Sequence, residues 1–284
     1  MAYSVLTVYA ALAVWLGLAV QGYRTQRWLY AILFGLALAV YLNVGYLING
    51  PAAAIAGFIG IYDVLNNLGV GPEGAGGLGA CPDNACTVWG DTFQLHTTWG
   101  VAFYDRFANG PEFRTNLLYG HIVGNTIALV LITFQMFRPG GSPNGKHHKL
   151  IGRIAFLSLT FGVACAAWLA SEHGPVDEYG GVFASWGFWE MSAVVYGCAC
   201  MGVVAIMRGD ARAHRVWMWR LAGSMWGSFW LFRVMLFVLD PLLRDYEAAA
   251  IQWCIWASAP LGLLIAEMIR RRIDAPKRAQ TAPV

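Results

Sequence analysis

The sequence predicts an all-α, polytopic membrane bundle of about seven transmembrane helices, with the amino terminus outside and the carboxyl terminus cytoplasmic. Composition, the length of the apolar segments and the placement of the basic residues predict it. Of 284 residues, 58% are hydrophobic and 12% are charged, against about 25% charged in an average soluble domain. The net charge of +3 is too small to argue for nucleic acid as a partner.

A span needs about 20 mainly apolar residues. Such segments run over Val5–Gln21, Trp28–Leu47, Leu117–Phe137, Ile154–Ala170, Val182–Ile206, Trp217–Leu239 and Ala248–Met268. The first is not a signal peptide by its flanks: no positive charge precedes it, and Arg24 and Arg27 follow it. With alternating loops, 15 of the 19 Lys and Arg residues fall on one side, from Arg24 and Arg27 through Lys146, Lys149, Arg208 and Arg212 to Arg278. That bias marks the cytoplasmic side, and the plasma (cell inner) membrane is the expected location.

The chain divides into two amino-terminal spans (1–48), an outer loop (49–116), a four-helix core (117–239) and a last span with a basic cytoplasmic tail (240–284). Ala52–Gly69 is apolar but carries Asp63, Asn66 and Asn67, and Asn49 and Pro51 stand like a helix start. A span there would turn the later basic loops outward, so it reads as a helix on or dipping into the outer surface. The Gly-rich run Gly69–Gly79 is a connector. It is not a phosphate loop, because no Lys-Ser/Thr follows it. Cys81 and Cys86 bracket a polar turn and are expected as a disulfide on an oxidising side. Cys165, Cys198, Cys200 and Cys254 lie in apolar segments and read as small packing residues.

Seven spans suggest a retinal protein, but the last span has no Lys for a Schiff base. Nor is there a Walker motif, a Ser-His-Asp order or a His-Glu-x-x-His zinc motif.

Ionisable groups inside a bilayer are costly and point to function. Counted from the outer helix ends, His121, Glu190 and Arg233 lie at depths of roughly 6, 12 and 9 Å, on three helices and in one layer. Two readings stand open. Glu190 and Arg233 pin the bundle as an ion pair with His121 beside them, or the three form a catalytic or binding pocket walled by Trp186, Trp189, Trp226 and Trp230. The same Trp residues also fit an aromatic belt at the membrane surface. A second cluster lies at the cytoplasmic face, in His147-His148-Lys149-Leu150-Ile151-Gly152-Arg153 and His214-Arg215-Val216-Trp217-Met218-Trp219-Arg220. Lys and Arg alone would satisfy an anionic lipid surface. A His in the equivalent place twice is less expected, because His adds little charge at neutral pH.

The two stretches look like copies of one unit: helix, basic loop, His, Arg, helix. His121 lies 17 residues before Arg138, and Glu190 lies 18 before Arg208. Two such units make a four-helix bundle with an approximate two-fold axis along the membrane normal, on which His148 and His214 face each other near the inner surface.

At this point Tyr119–Leu239 resembles a widespread family of predicted membrane proteins known only as a domain of unknown function. The resemblance rests on His121 with Gly124, Phe134-Gln135, His148 with Gly152-Arg153, His214-Arg215 with Trp217-Met218 and Arg220, and Arg233. It implies a common helix bundle and supplies no activity, substrate or cofactor.

Three functions fit these residues. A redox protein would hold haem b on axial His ligands from facing helices. His148 and His214 are the best inner pair, with Arg153, Arg215 or Arg220 for the propionates, and His121 with His173 is an outer pair. The arrangement looks like, without matching, the dihaem cytochromes b of ascorbate-dependent reductases. His148 and His173 are 25 residues apart, or ~37 Å along a straight helix, which favours a single inner haem. A quinone or lipid enzyme or binder would use His121 and Glu190 as acid or base, with Arg233 neutralising charge. A non-catalytic membrane subunit or assembly factor would use the polar layers for packing and the outer loop to dock a protein partner.

Overall fold

The computed structural model describes residues 5–25, 27–67, 106–107, 110–137, 145–172, 181–242 and 247–279. All regular structure among them is helical: α1 (Val5–Thr25), α2 (Leu29–Asn67), α3 (Glu112–Phe137), α4 (Lys146–Ser171), α5 (Gly181–Met207), α6 (Ala211–Trp226), a π-helical turn (Gly227–Leu231), α7 (Phe232–Leu242) and α8 (Glu247–Ala279). Five stretches are long and apolar enough to cross a membrane: Leu29–Pro51, Glu112–Phe137, Lys146–Ser171, Phe183–Met207 and Gln252–Asp274. They coincide with five of the seven expected spans. The first expected span forms the 21-residue α1, and the sixth runs from α6 into α7 through the π-helical turn. The Gly-rich run, Cys81, Cys86, His96 and His173 lie outside the described residues.

α2 breaks at Gly50, whose φ of +80° is open to glycine, and Pro51 has no N–H to lose at a new helix start. The segment expected to lie at the surface continues as helix to Asn67.

The core is a four-helix bundle. α3 packs along α4, α4 on α5, α5 on α6 and α6 on α3, so α4 and α6 face each other across the bundle, as do α3 and α5. α8 lies against α6, the π-helical turn, α7 and α5, and the α1–α2 pair joins through α2 on α3. The interior is lined by small and branched side chains, among them Ala128, Leu159, Ala199, Leu221 and Ala259. Large apolar side chains such as Leu157, Trp168, Trp186 and Leu264 are exposed. This is the arrangement expected where lipid replaces water.

Without a hydrophobic drive between helices in lipid, small residues permit close packing. A Cβ on Gly124 would stand 2.7 Å from Gly162 N, and one on Gly227 would meet Ser258 O and Gly262 Cα. The Gly223-x-x-x-Gly227 spacing therefore seats the α6 region directly on α8. Cys165, Cys198 and Cys254 are buried as packing residues.

The turn from α5 to α6 is tightly specified. Gly209 takes φ +78°, Asp210 N–H bonds Ala205 O at 3.0 Å and Gly209 N–H bonds Ile206 O at 3.0 Å, closing a Schellman motif. Asp210 then caps α6 by accepting from Ala213 N–H at 2.8 Å. A helix stop and a helix start share three residues, which fixes how the first turn of α6 meets the last turns of α5.

Candidate functional site

That turn sets His214 against α5, where its Nδ1 lies 2.8 Å from Gly202 O. A carbonyl only accepts, so Nδ1 carries the hydrogen in this contact and Nε2 is left with its lone pair. His148 stands in the first turn of α4. The two rings meet edge to face across the bundle, with centroids 6.4 Å apart and planes at 85°. These are the two residues that the repeat predicts to face each other. Gly152 follows His148 by one turn, and a Cβ there would find Gln135 Nε2 3.6 Å away as its neighbour. Met218 Cε lies over Gly202. Arg153 is exposed.

The arginines of the second stretch have protein partners. Arg220 Nε lies 3.5 Å from Glu267 Oε2, and its guanidinium lies 4.6 Å from the Trp217 ring centroid. Arg215 pairs with Asp274 at 3.1 Å. Glu267 also takes Arg270 at 2.6 and 3.1 Å and Arg271 at 2.8 Å. Arg220, expected at a propionate, thus meets a carboxylate of α8. Glu267 and Asp274 were not singled out from the sequence, although Glu267-x-x-Arg270-Arg271-x-x-Asp274 has the i, i+3 and i, i+4 spacings of paired charges on one helix face. Arg272 sits over the Tyr23 ring at 4.2 Å, which brings the end of α1 to this same basic end.

In the far half, the expected layer divides. His121 faces α4: its Nδ1 lies 3.2 Å from Gly162 O and 2.9 Å from Asn125 Nδ2. These neighbours ask opposite roles of Nδ1, donor to the carbonyl and acceptor from the amide, and Nε2 takes whichever role remains. Arg233 follows the π-helical turn. Its Nη1 donates to Phe229 O at 2.7 Å, and its guanidinium lies 3.9 Å from the Phe229 ring centroid. π-Helical turns displace backbone bonding and recur at functional sites.

Glu190 does not join them. It lies on the α5 stripe that includes the exposed Phe183, Trp186, Ala193, Gly197 and Met201, and it forms no ion pair with Arg233. The reason is helical register. The residue 17 before Arg208, matching His121 before Arg138, is Met191, which packs against the core. One residue turns a side chain by about 100°. Asn125 was also missed, though its place four residues after His121 marks it as a neighbour on the same helix face.

No curated protein and no solved structure matches this chain. A family model described as "Predicted membrane protein (DUF2306)" matches residues 118–269. The matched region is more than half of the chain and takes in the four-helix core, the π-helical turn, Arg233 and Glu267. The protein belongs to this family of integral membrane proteins of unknown function.

Proposed function

We propose that the chain is a membrane redox protein that holds one haem b between α4 and α6, with His148 and His214 as axial ligands. The observation that carries this reading is the 6.4 Å separation of the two rings across the bundle. A ligated imidazole nitrogen sits roughly 2 Å from its metal, so two rings sharing one ion have centroids on the order of 6 Å apart. Two imidazoles are too few for a four-ligand zinc site, and no cluster of three or more His, Cys, Asp or Glu occurs among the described residues. Haem brings four nitrogens of its own and asks the protein for two axial ones.

The surrounding residues fit. The Gly202 carbonyl holds His214 in the tautomer that ligates through Nε2. Gly152 leaves space beside His148, and the Met218 side chain is flexible enough to give way. Exposed Arg153 is suited to a propionate. Haem, when bound, supplies a one-electron iron couple.

The test is the visible spectrum of detergent-purified protein, oxidised and dithionite-reduced, from cells supplied with haem precursor. A sharp reduced α-band, lost in His148→Ala and in His214→Ala, is expected. A colourless protein that elutes as a single folded species overturns the reading.

A second reading, a quinone or lipid site in the far half, is favoured by one observation: Arg233 follows a π-helical turn inside a membrane helix, a feature that recurs at functional sites. It predicts that His121→Ala and Arg233→Ala each lose bound isoprenoid quinone or lipid on extraction, while His148→Ala does not. In the third reading, a non-catalytic subunit or assembly factor with a protein partner at the outer loop, both sets of changes are tolerated once the chain folds.

We also infer seven spans in the plasma membrane, with the amino terminus outside and the basic end cytoplasmic. Helix at all seven expected stretches and the gathering of basic residues at one end support this. Impermeant thiol labelling of single cysteines placed at each terminus in intact cells tests it: the amino terminus should label and the carboxyl terminus should not.

A further inference from the structure

The basic end of the bundle carries more positive charge than its own acids hold. Glu267 and Asp274 take Arg220, Arg270, Arg271 and Arg215 between them, so two carboxylates face four guanidiniums. Three further cations stand at one corner of this end. Arg272, in the last turn of the α8 span, lies over the Tyr23 ring of α1 at 4.2 Å. Arg24 stands in the last turn of α1, and Arg27 just precedes α2. All three are exposed, and none of them meets a carboxylate among the described residues.

The corner has a defined frame. Thr25 Oγ1 donates to Gln21 O at 2.8 Å and accepts from Arg27 N–H at 3.4 Å, which shapes the α1–α2 turn. Trp28 meets Tyr23 edge to face, with ring centroids 6.3 Å apart. The turn and the aromatic pair thus set the arginines where the ends of α1 and α8 come together. Deeper in the membrane the two helices part: α1 packs along α2 and not along α8. Val20 and Leu16, three and seven residues before Tyr23, are exposed apolar side chains, as are Met268 and Ile265, four and seven before Arg272. These spacings put each pair on the helix face that leads to the corner. The result is a cleft with apolar walls and a basic mouth, at the level where both helices leave the membrane.

We propose that this corner binds an acidic phospholipid, with its phosphate on Arg272, Arg24 and Arg27 and its acyl chains between α1 and α8. Charge and shape together select this occupant. Basic pockets between membrane helices suit anionic headgroups, and a guanidinium matches a phosphate in two-point contact. A free anion would leave the apolar walls uncovered. A zwitterionic lipid brings its own cation to a corner where no described carboxylate is left to receive it. The inward arginines are neutralised by Glu267 and Asp274, so the charge left over lies outward, where a headgroup can reach it. The proposal needs only that this end lie at a membrane surface. It rests neither on the haem reading nor on which leaflet is cytoplasmic.

The test is native mass spectrometry of the full chain in detergent, titrated separately with phosphatidylglycerol, phosphatidylcholine and glycerol 3-phosphate. Phosphatidylglycerol should bind about tenfold more tightly than phosphatidylcholine, and glycerol 3-phosphate should not displace it at equal concentration. Arg272→Gln should raise the dissociation constant for phosphatidylglycerol about tenfold, and the double change Arg24→Gln with Arg27→Gln should do the same, as expected for lost hydrogen bonds to a charged group. Both sites are exposed, and the double change leaves the Arg272–Tyr23 contact in place. Val20→Trp, which narrows the cleft without changing charge, should also weaken binding. Arg208→Gln, exposed at the turn between α5 and α6, should leave it within about twofold, because screened surface charge acts only over about 10 Å. Equal affinity for the two phospholipids, or wild-type binding in both arginine variants, overturns the proposal. So does a loss in Arg208→Gln as large as in the double variant, which marks diffuse surface charge, or displacement of the lipid by glycerol 3-phosphate at equal concentration, which marks a site for a free anion.

Discussion

At the basic end of the bundle, two histidines from different helix pairs meet. In the far half, two ionisable residues at nearly matching depths on those same pairs point in different directions. His148 and His214 both sit in first helical turns, and His214 is fixed from outside its helix by the Gly209–Asp210 turn and by Gly202 O. His121 and Glu190 lie well inside long helices, where only rotation about the helix axis decides what a side chain faces. Depth is a matter of counting residues. Facing depends on register, and a one-residue offset between the two units turns a side chain from the bundle to the lipid.

The largest expected effect comes from moving the carboxyl by one position. Met191→Glu places an ionisable group where the chain packs its core. An uncompensated buried charge costs about 3–5 kcal/mol, so little monodisperse protein should survive purification. If Met191→Glu behaves like wild type in fluorescence-detected size-exclusion chromatography and thermal denaturation, the assignment of α5 faces is wrong. At the basic end, Glu267→Ala comes next. It leaves Arg270 and Arg220 without their shared carboxylate, and Glu267 is only 11% exposed in its side chain. A loss of about 2–3 kcal/mol is expected, below a fully buried pair because the network reaches solvent. Arg215→Ala removes only the bridge of a 54% exposed side chain to Asp274, which keeps Arg270, and about 0–1 kcal/mol is expected there. The ratio of these two losses measures how much of the basic end is held by Glu267 alone.

The helices are legible because their signal is long: each expected stretch is an apolar run bounded by charged or Gly-rich segments, and helix forms on all seven stretches, five of them long and apolar enough to cross a membrane. The meeting of His148 and His214 was legible for a similar reason. Both residues open helices after basic loops, so the repeat fixes their depth, and a two-fold bundle fixes their facing. The outer layer was legible in depth alone. Apolar residues surround Glu190 on every side of α5, so no hydrophobic stripe in the sequence tells which side meets lipid. Arg220 could be recognised as a buried-end cation but not given its partner. Glu267 lies 47 residues later in the chain, and only the Gly223, Gly227 and Gly262 packing brings the two helices into contact. The π-helical turn left no mark that a propensity argument would find, since Gly227–Leu231 reads as ordinary membrane helix.

The smallest expected effect is the most discriminating. Glu190→Leu asks what Glu190 does for its own fold. If the carboxyl faced Arg233 as a buried pair, its loss would leave Arg233 uncompensated and cost about 3–5 kcal/mol. On the outward stripe, replacing it with an apolar side chain costs nothing within the chain, and exposed substitutions away from special features stay within about 0.5 kcal/mol. Because the surroundings are lipid, the small change should be in the stabilising direction. A thermal midpoint equal to or slightly above that of the wild type therefore supports the outward placement. A marked fall would return Glu190 to the bundle interior beside His121 and Arg233, and with it the catalytic reading of that layer.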